Sequence, residues 1–227
     1  MIAVACLLLV GVARLNLPAE TRRFDFEEGR VRKEPRGFDL INGYDRWGAS
    51  WEIRRLAGAP SGQHVLVESK VYPARSVIPK VIVRDWDLPD GELRVKLRVH
   101  PSAHEQPGGL VLRYRDERNY LLVSANADPR RLVVRRVERG RVQTLLGPPM
   151  RRTRASQNSE LDPARWHQLR VRFDGPSLRV FLNDELVGEV VDSGPLTGTR
   201  AGLWSEPGSI VYFDDLELEA RPVPIAR

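Results

Sequence analysis

Residues 91–100 read G-E-L-R-V-K-L-R-V-H, and this stretch decides the fold. Leu93, Val95, Leu97 and Val99 alternate with Glu92, Arg94, Lys96 and Arg98. Successive side chains of an extended strand point to opposite faces, so the alternation makes one face apolar and the other charged. A strand of this kind belongs to an antiparallel sheet with one side on a core and the other in water. The same alternation recurs at Leu110 to Tyr114, Leu132 to Val137, Leu169 to Phe173 and Leu178 to Leu182. Turn-forming residues punctuate these runs: Pro89-Asp90-Gly91, Glu138-Arg139-Gly140, Asp174-Gly175-Pro176 and Asn183-Asp184. No stretch has a 3.6-residue period, and Asp162-Pro163-Ala164-Arg165 reads as one turn that delivers Trp166 into the next strand. Regular short strands with such punctuation predict an all-β sandwich or barrel.

The 227 residues suit one large β domain, and 41% hydrophobic content is enough to bury a core. No repeat, low-complexity tract or interdomain linker interrupts the chain, so residues 22–220 read as one domain followed by a tail, 221–227. Gly147 to Glu160 is the longest irregular stretch and reads as a surface loop. Residues 1–21 read as a signal peptide and short leader: Ile2 to Val12 is an apolar run too short for the roughly 20 residues of a membrane span. Gly11 and Ala13 fit a small-x-small cleavage site with Arg14 starting the mature chain, although no positive charge precedes the run. The expected location is therefore extracytoplasmic, whether periplasmic, secreted or cell-surface, with no stable membrane span. Cys6 lies in this segment and is the only cysteine, which excludes an intrachain disulfide.

The net charge of +6 comes from arginine, since only Lys33, Lys70, Lys80 and Lys96 are lysine. These charges interleave with Asp and Glu along strands, the pattern of a solvated sheet face. The tightest cluster, Arg151, Arg152 and Arg154, lies in a loop without interleaved aromatics, so nucleic acid is not an expected partner.

Catalytic signals are sparse. His64, His100, His104 and His167 have no carboxylate or cysteine at metal-ligand spacing, and no nucleophile elbow, phosphate loop or dinucleotide fingerprint is present. Asp85 and Asp87 flank Trp86 but precede a Pro-Asp-Gly turn, which makes them a solvated strand end. Two acids meet at Asp214-Asp215 within an alternating strand, which forces one carboxylate inward unless a bulge intervenes. A structural Ca²⁺ would relieve that cost, with Glu27 of the stretch Phe24-Asp25-Phe26-Glu27-Glu28-Gly29, read as the first strand, donating from beside it. Plain exposed carboxylates are the other reading. Aromatic rings with polar neighbours suit the apolar face of a sugar, and Trp47, Trp86, Tyr120 and Trp204 are candidates. Trp204 follows Gly202-Leu203 and faces out if Leu203 packs inward, whereas Trp51 and Trp166 open apolar strands and read as core. Arg113, Asn119 and Asn126 could supply polar edges, with Arg113 able to hold a carboxylate in a two-pronged contact.

Several stretches together carry a family resemblance. They are G-G-L-V-L-R-Y-R-D-E-R-N-Y-L-L-V-S-A-N-A from Gly108, R-W-H-Q-L-R-V at 165–171, V-F-L-N-D-E-L-V at 180–187, A-G-L-W-S at 201–205 and F-D-D-L at 213–216. The chain resembles the bacterial concanavalin A-like, laminin-G-like jelly-roll domains, and is especially similar to those related to the 3-keto-disaccharide hydrolase domains. The resemblance covers about Phe24 to Ala220. It implies a two-sheet antiparallel jelly roll that meets poly- or oligosaccharide, or a protein partner, outside the cytoplasm. The E-x-D-x-x-E pattern of the retaining glucanases of this fold is missing. Arg113, Asn119, Tyr120, Asn126 and Trp204 match the shared motif as candidate ligand residues. Leu121 and Asp128-Pro129 stand where relatives carry a second aromatic and an acid. The expectation is a non-catalytic carbohydrate-binding or interaction module. A glycoside-active enzyme of the keto-disaccharide hydrolase type, or a purely structural or protein-binding domain, are the alternatives.

Overall fold

A computed structural model of the chain describes residues 19–41, 51–68, 78–100, 108–125, 132–147, 165–195, 198–206 and 209–221. One sheet holds β1 (Glu20–Phe24), β3 (Trp51–Arg55), β4 (His64–Glu68), β6 (Gly91–Val99), β11 (His167–Asp174), β12 (Ser177–Leu182), β13 (Glu185–Val191) and β15 (Val211–Ala220). The other holds β2 (Phe38–Ile41), β5 (Lys80–Val83), β7 (Gly108–Asp116), β8 (Asn119–Ala125), β9 (Val133–Glu138), β10 (Arg141–Leu146) and β14 (Arg200–Ser205). The eight-stranded sheet runs β13-β12-β11-β6-β15-β4-β3 with β1 also on β15, and the seven-stranded sheet runs β10-β9-β8-β7-β14-β5-β2. All strand pairings are antiparallel, giving the two-sheet jelly-roll sandwich that the alternation and the resemblance predict. Among the described residues, no helix is long and apolar enough to cross a membrane.

The inner faces interlock. Leu93, Val95, Leu97 and Val99 of β6 point inward, as the opening stretch requires, beside Leu169, Val171 and Phe173 of β11. Leu110 and Leu112 of β7, Leu121 and Val123 of β8 and Leu203 of β14 belong to the same core. Each such side chain, fully removed from water, contributes about 1.5–3 kcal/mol before the entropy of ordering is counted. Outside, the eight-stranded sheet is charged: Arg94 meets Glu217 at 2.5 Å, and Arg172 and Arg170 converge on Glu92 at 2.9 and 3.3 Å.

The expected turns form. Asn183 and Asp184 link β12 to β13 with φ of 49° and 66°, and Arg139-Gly140 link β9 to β10 with φ of 50° and 80°. Left-handed backbone at both central residues matches the twist of a tight hairpin, which Asn, Asp and Gly tolerate. The first strand departs from the sequence expectation: β1 begins at Glu20 and ends at Phe24, so 25–29 form a turn. Phe26 adopts φ 62° there, which takes the chain out of the sheet before Glu27 is reached. The first and last strands are neighbours as expected, in register from Glu20 opposite Ala220 to Phe24 opposite Leu216. The turn before Trp166 lies largely outside the described residues, as does the loop read from Gly147 to Glu160.

Candidate functional site

The outer face of the seven-stranded sheet is apolar. Ile82, Val111, Tyr114, Tyr120, Leu122, Val137 and Trp204 form a second buried cluster on the side opposite the main core. Where this face meets the β7–β8 turn, it opens into a cavity of about 650 Å³. Ile41 and Tyr114 line its apolar side, and Arg115, Asp116, Glu117, Arg118, Arg139 and Arg200 line the rest.

Two hairpin turns hold that lining in place. Asp116 Oδ1 accepts from the Arg118 N–H and from Asn119 Nδ2, both at 2.8 Å. Asn119 Oδ1 accepts the Arg139 N–H at 3.0 Å, and Arg118 Nη2 donates to the Arg139 carbonyl at 3.0 Å. Burial opposes ionisation of Asp116, but the Arg118 N–H and the Asn119 amide hold its carboxyl below the usual range. On the far wall, Arg200 pairs with Asp39, which Arg84 also contacts at 2.9 Å. Hydrogen bonds from Arg84 and then Arg200 keep the Asp39 carboxyl below its ordinary value.

Beneath the cavity, the Tyr114 and Tyr120 rings stack at 6.1 Å, and Lys80 Nζ lies 4.7 Å from the Tyr120 ring. Lys80 is only 4% exposed and donates to the Ile78 carbonyl at 2.6 Å. Burial pushes its pKa down to about 8, with Glu117 pulling the other way, and burial pushes both phenols up to about 12. Lys80, Glu117, Arg200 and Asp39 did not stand out in the sequence. The one available signal was a lysine at the outward position of the apolar run K-V-I-V.

The residues expected to bind sugar are drawn together only in part. Arg113, Asn119 and Tyr120 border a void of about 20 Å³, while Asn126 lies outside the described residues. Arg113 does hold a carboxylate, but it is the chain's own: Asp192, at 3.5 Å, which Arg136 also pairs. Arg113 donates to the Gly175 carbonyl as well and is buried, so it braces the sandwich rim instead of facing a ligand. Asn119 spends both ends of its amide on the turns. Trp204 does face opposite to Leu203, yet it is fully buried, with its indole N–H bonded to the Val123 carbonyl at 3.1 Å. A ring without an exposed face offers no stacking platform, and Tyr120 is nearly as enclosed. Trp86 is half-buried under Arg22, and Trp47 is outside the described residues.

Asp214, Asp215 and Glu27 meet around the turn at 61–64. A bulge separates Asp214 from Glu217, and Asp214 is fully buried. Its oxygens accept the Ser61 N–H at 2.9 Å and the Asp215 N–H at 2.7 Å, and burial still pushes its carboxyl up to about 6. Asp215 receives Arg23 at 2.6 Å, Ser61 Oγ at 2.7 Å and Lys96 at 2.9 Å. Glu27 accepts the N–H groups of Gln63 at 2.9 Å and His64 at 2.6 Å. Ca²⁺ needs such oxygens free. Here N–H donors and cations already meet Asp214, Asp215 and Glu27 Oε1, and a cation at this place would have to share or displace them.

A profile of the 3-keto-alpha-glucoside-1,2-lyase-like domain family matches residues 40–219. The chain belongs to this family. Among solved structures, it is similar to the carbohydrate-binding module CBM66 from Bacillus subtilis, with a TM-score of 0.58 and 14% identity over 80% of this chain and 95% of that one. A protein of unknown function with a galectin-like fold from Bacillus subtilis gives 0.54 and 10%, covering 91% and 99%. A putative glycosyl hydrolase from Parabacteroides distasonis gives 0.50 and 11%, covering 87% and 93%. No curated protein sequence matches the chain. The lyase-like chain is thus a carbohydrate-related β-sandwich.

A second, smaller opening of about 380 Å³ lies on the other sheet of this lyase-like domain, beside Trp166, Lys96, Gln168, Asn183 and Asp184. Trp166 is half-buried and not the core residue that the sequence suggested, because its indole N–H is drawn to the Gly58 carbonyl at 2.8 Å and Arg98 lies 5.4 Å from its ring.

Proposed function

We propose that the chain is an extracytoplasmic, non-catalytic carbohydrate-binding module whose binding site is the cavity at the β7–β8 turn. The observation that carries this reading is the stapled pair of turns, which presents several guanidinium donors and two carboxylates around one opening. Sugar recognition needs polar groups whose positions are set before the ligand arrives, because ordering them on binding costs affinity. The apolar run at Ile2 to Val12 supports export. Arg115 is the probe of choice, since its side chain is 60% exposed and its ion pair to Asp116, the one found for it among the described residues, is long at 3.8 Å. Screening the folded protein on a glycan array and titrating the best ligand against Arg115→Ala tests the site. Affinity reduced about tenfold, the effect of losing one good charge-assisted contact, supports it. Equal affinity in the variant, or a blank array, removes the cavity as a sugar site.

Lys80 favours a second reading. Lyase chemistry across carbons 1 and 2 of a 3-keto-glucoside requires a base to take the proton on carbon 2, beside the ketone. The freed electron pair forms the carbon 1–carbon 2 double bond as the glycosidic oxygen leaves. A lysine whose pKa burial lowers to about 8 has the basicity for that transfer, and this reading requires its side chain, 4% exposed beside Tyr120, to swing toward the cavity. Release of aglycone from a 3-keto-glucoside, abolished by Lys80→Met in a variant that still folds, would establish it. No release from the unaltered protein would set it aside.

A further inference from the structure

We infer that the cavity at the β7–β8 turn takes a negatively charged saccharide, one carrying carboxylates or sulfate esters; this rests on the cavity being the sugar site. Four guanidiniums line the opening, from Arg115, Arg118, Arg139 and Arg200, against the carboxylates of Asp116 and Glu117. Asp116 accepts from the Arg118 N–H and the Asn119 amide and offsets one guanidinium of the four, that of Arg115 at 3.8 Å. Asp39, which pairs Arg200, is shared with Arg84, so one carboxylate answers two guanidiniums. Glu117 acts on the buried Lys80 ammonium. Arg118 directs its side chain to a neutral acceptor, the Arg139 carbonyl, and no ion pair to Arg118 or Arg139 is found among the described residues. The opening therefore carries an excess of positive charge that its own acids do not meet.

No aromatic ring face is available to a sugar here. Tyr114, Tyr120 and Trp204 are 5%, 7% and 0% exposed, so none offers a ring face to a pyranose. Recognition falls to the guanidiniums, whose planar forks match carboxylate and sulfate oxygens and give stronger, charge-assisted bonds than hydroxyls do. A neutral sugar would leave the excess charge uncompensated; an acidic one would neutralise it and be steered toward the opening.

The test is calorimetric titration with oligogalacturonate, a sulfated oligosaccharide without uronate, and a neutral cello-oligosaccharide of matched length, at about 50 and about 500 mM salt. Arg139→Asn is the central variant, because Arg139 sits at φ 50°, which asparagine tolerates. Arg179→Gln, on the opposite sheet in an exposed pair with Glu189, is the control. Expected is binding of one or both acidic ligands about tenfold tighter than the neutral one, weakened by salt and again about tenfold by Arg139→Asn, with the control unchanged. The two acidic arms separate carboxylate from sulfate recognition. Neutral ligand bound equally well and lost in Arg115→Ala would overturn the charge inference and leave the cavity as the sugar site. Acidic ligand bound but indifferent to Arg139→Asn and Arg115→Ala would overturn it as adsorption elsewhere on a basic protein. No binding of any sugar by the folded chain would overturn both.

Discussion

The two sheets of this sandwich treat their outer faces in opposite ways. On the eight-stranded sheet, β6 presents Glu92, Arg94, Lys96 and Arg98, and each finds opposite charge or an aromatic ring on a neighbouring strand. On the seven-stranded sheet, the corresponding positions are Ile82, Val111, Leu122 and Trp204, all buried. A lysine exists on both faces, with different consequences. Lys96 pairs with Asp215 at 2.9 Å and stays 39% exposed, whereas Lys80 lies against Tyr120 with its proton loosened. A charged face solves its electrostatics by pairing charges. A covered face leaves its ionisable group paying for desolvation, and it is beside such a group that the cavity opens.

Exchanging residues between these environments should sharpen the contrast. Trp204→Ala empties a site on the covered face and is expected to lower unfolding free energy by about 3–5 kcal/mol in a urea titration. Trp166→Ala, half-buried on the charged side, should cost less than half as much; equal losses would mean that the two faces are packed alike. Next in size is the effect of pH on Lys80. Its folded pKa of about 8 lies below the ordinary lysine value of 10.5, so the native state holds fewer protons than the unfolded chain between those values. Stability should therefore rise with pH across that window, with the full cost, on the order of 3 kcal/mol, present below about 8. Lys80→Met should flatten the rise, as read from urea midpoints at intervals from neutral to alkaline pH; an unchanged slope would show that another group titrates. The smallest effect belongs to Arg179→Ala, whose partner Glu189 is as exposed as itself, and a midpoint shift above about 0.5 kcal/mol would be a surprise.

How far the sequence could be read follows the same division. Where one face is wet, the period of two appears in the letters, and β6 was legible with its inward set named residue by residue. Where both faces are buried, as at Leu110 to Tyr114, the pattern gives the strand but not what its outer side meets. Trp204 shows the limit: its direction followed from Leu203, its enclosure did not. Arg113 and Asn119 match a family motif, yet most of their partners, Asp192, Gly175 and the Arg139 turn, are distant in the chain; only the Asn119 amide N–H bond to Asp116, three residues back, was a local sign that these polar groups were engaged. The adjacent acids at 214–215 were readable as a problem, and even as a bulge. The answer to it came from backbone N–H groups of a turn that carries no motif.

One feature of the strand order bears on how the chain is made. β14 joins β7 to β5 and β15 joins β6 to β4, so the last two strands synthesised occupy the middle of the two sheets. Until they are in place, the main path of each sheet is split in two with open hydrogen-bonding edges, and β1 has no partner strand. Closure then depends on contacts between distant parts of the chain, which slows folding. A fragment that stops before β14 would therefore leave both layers open, whereas adding β14 and β15 closes both at once.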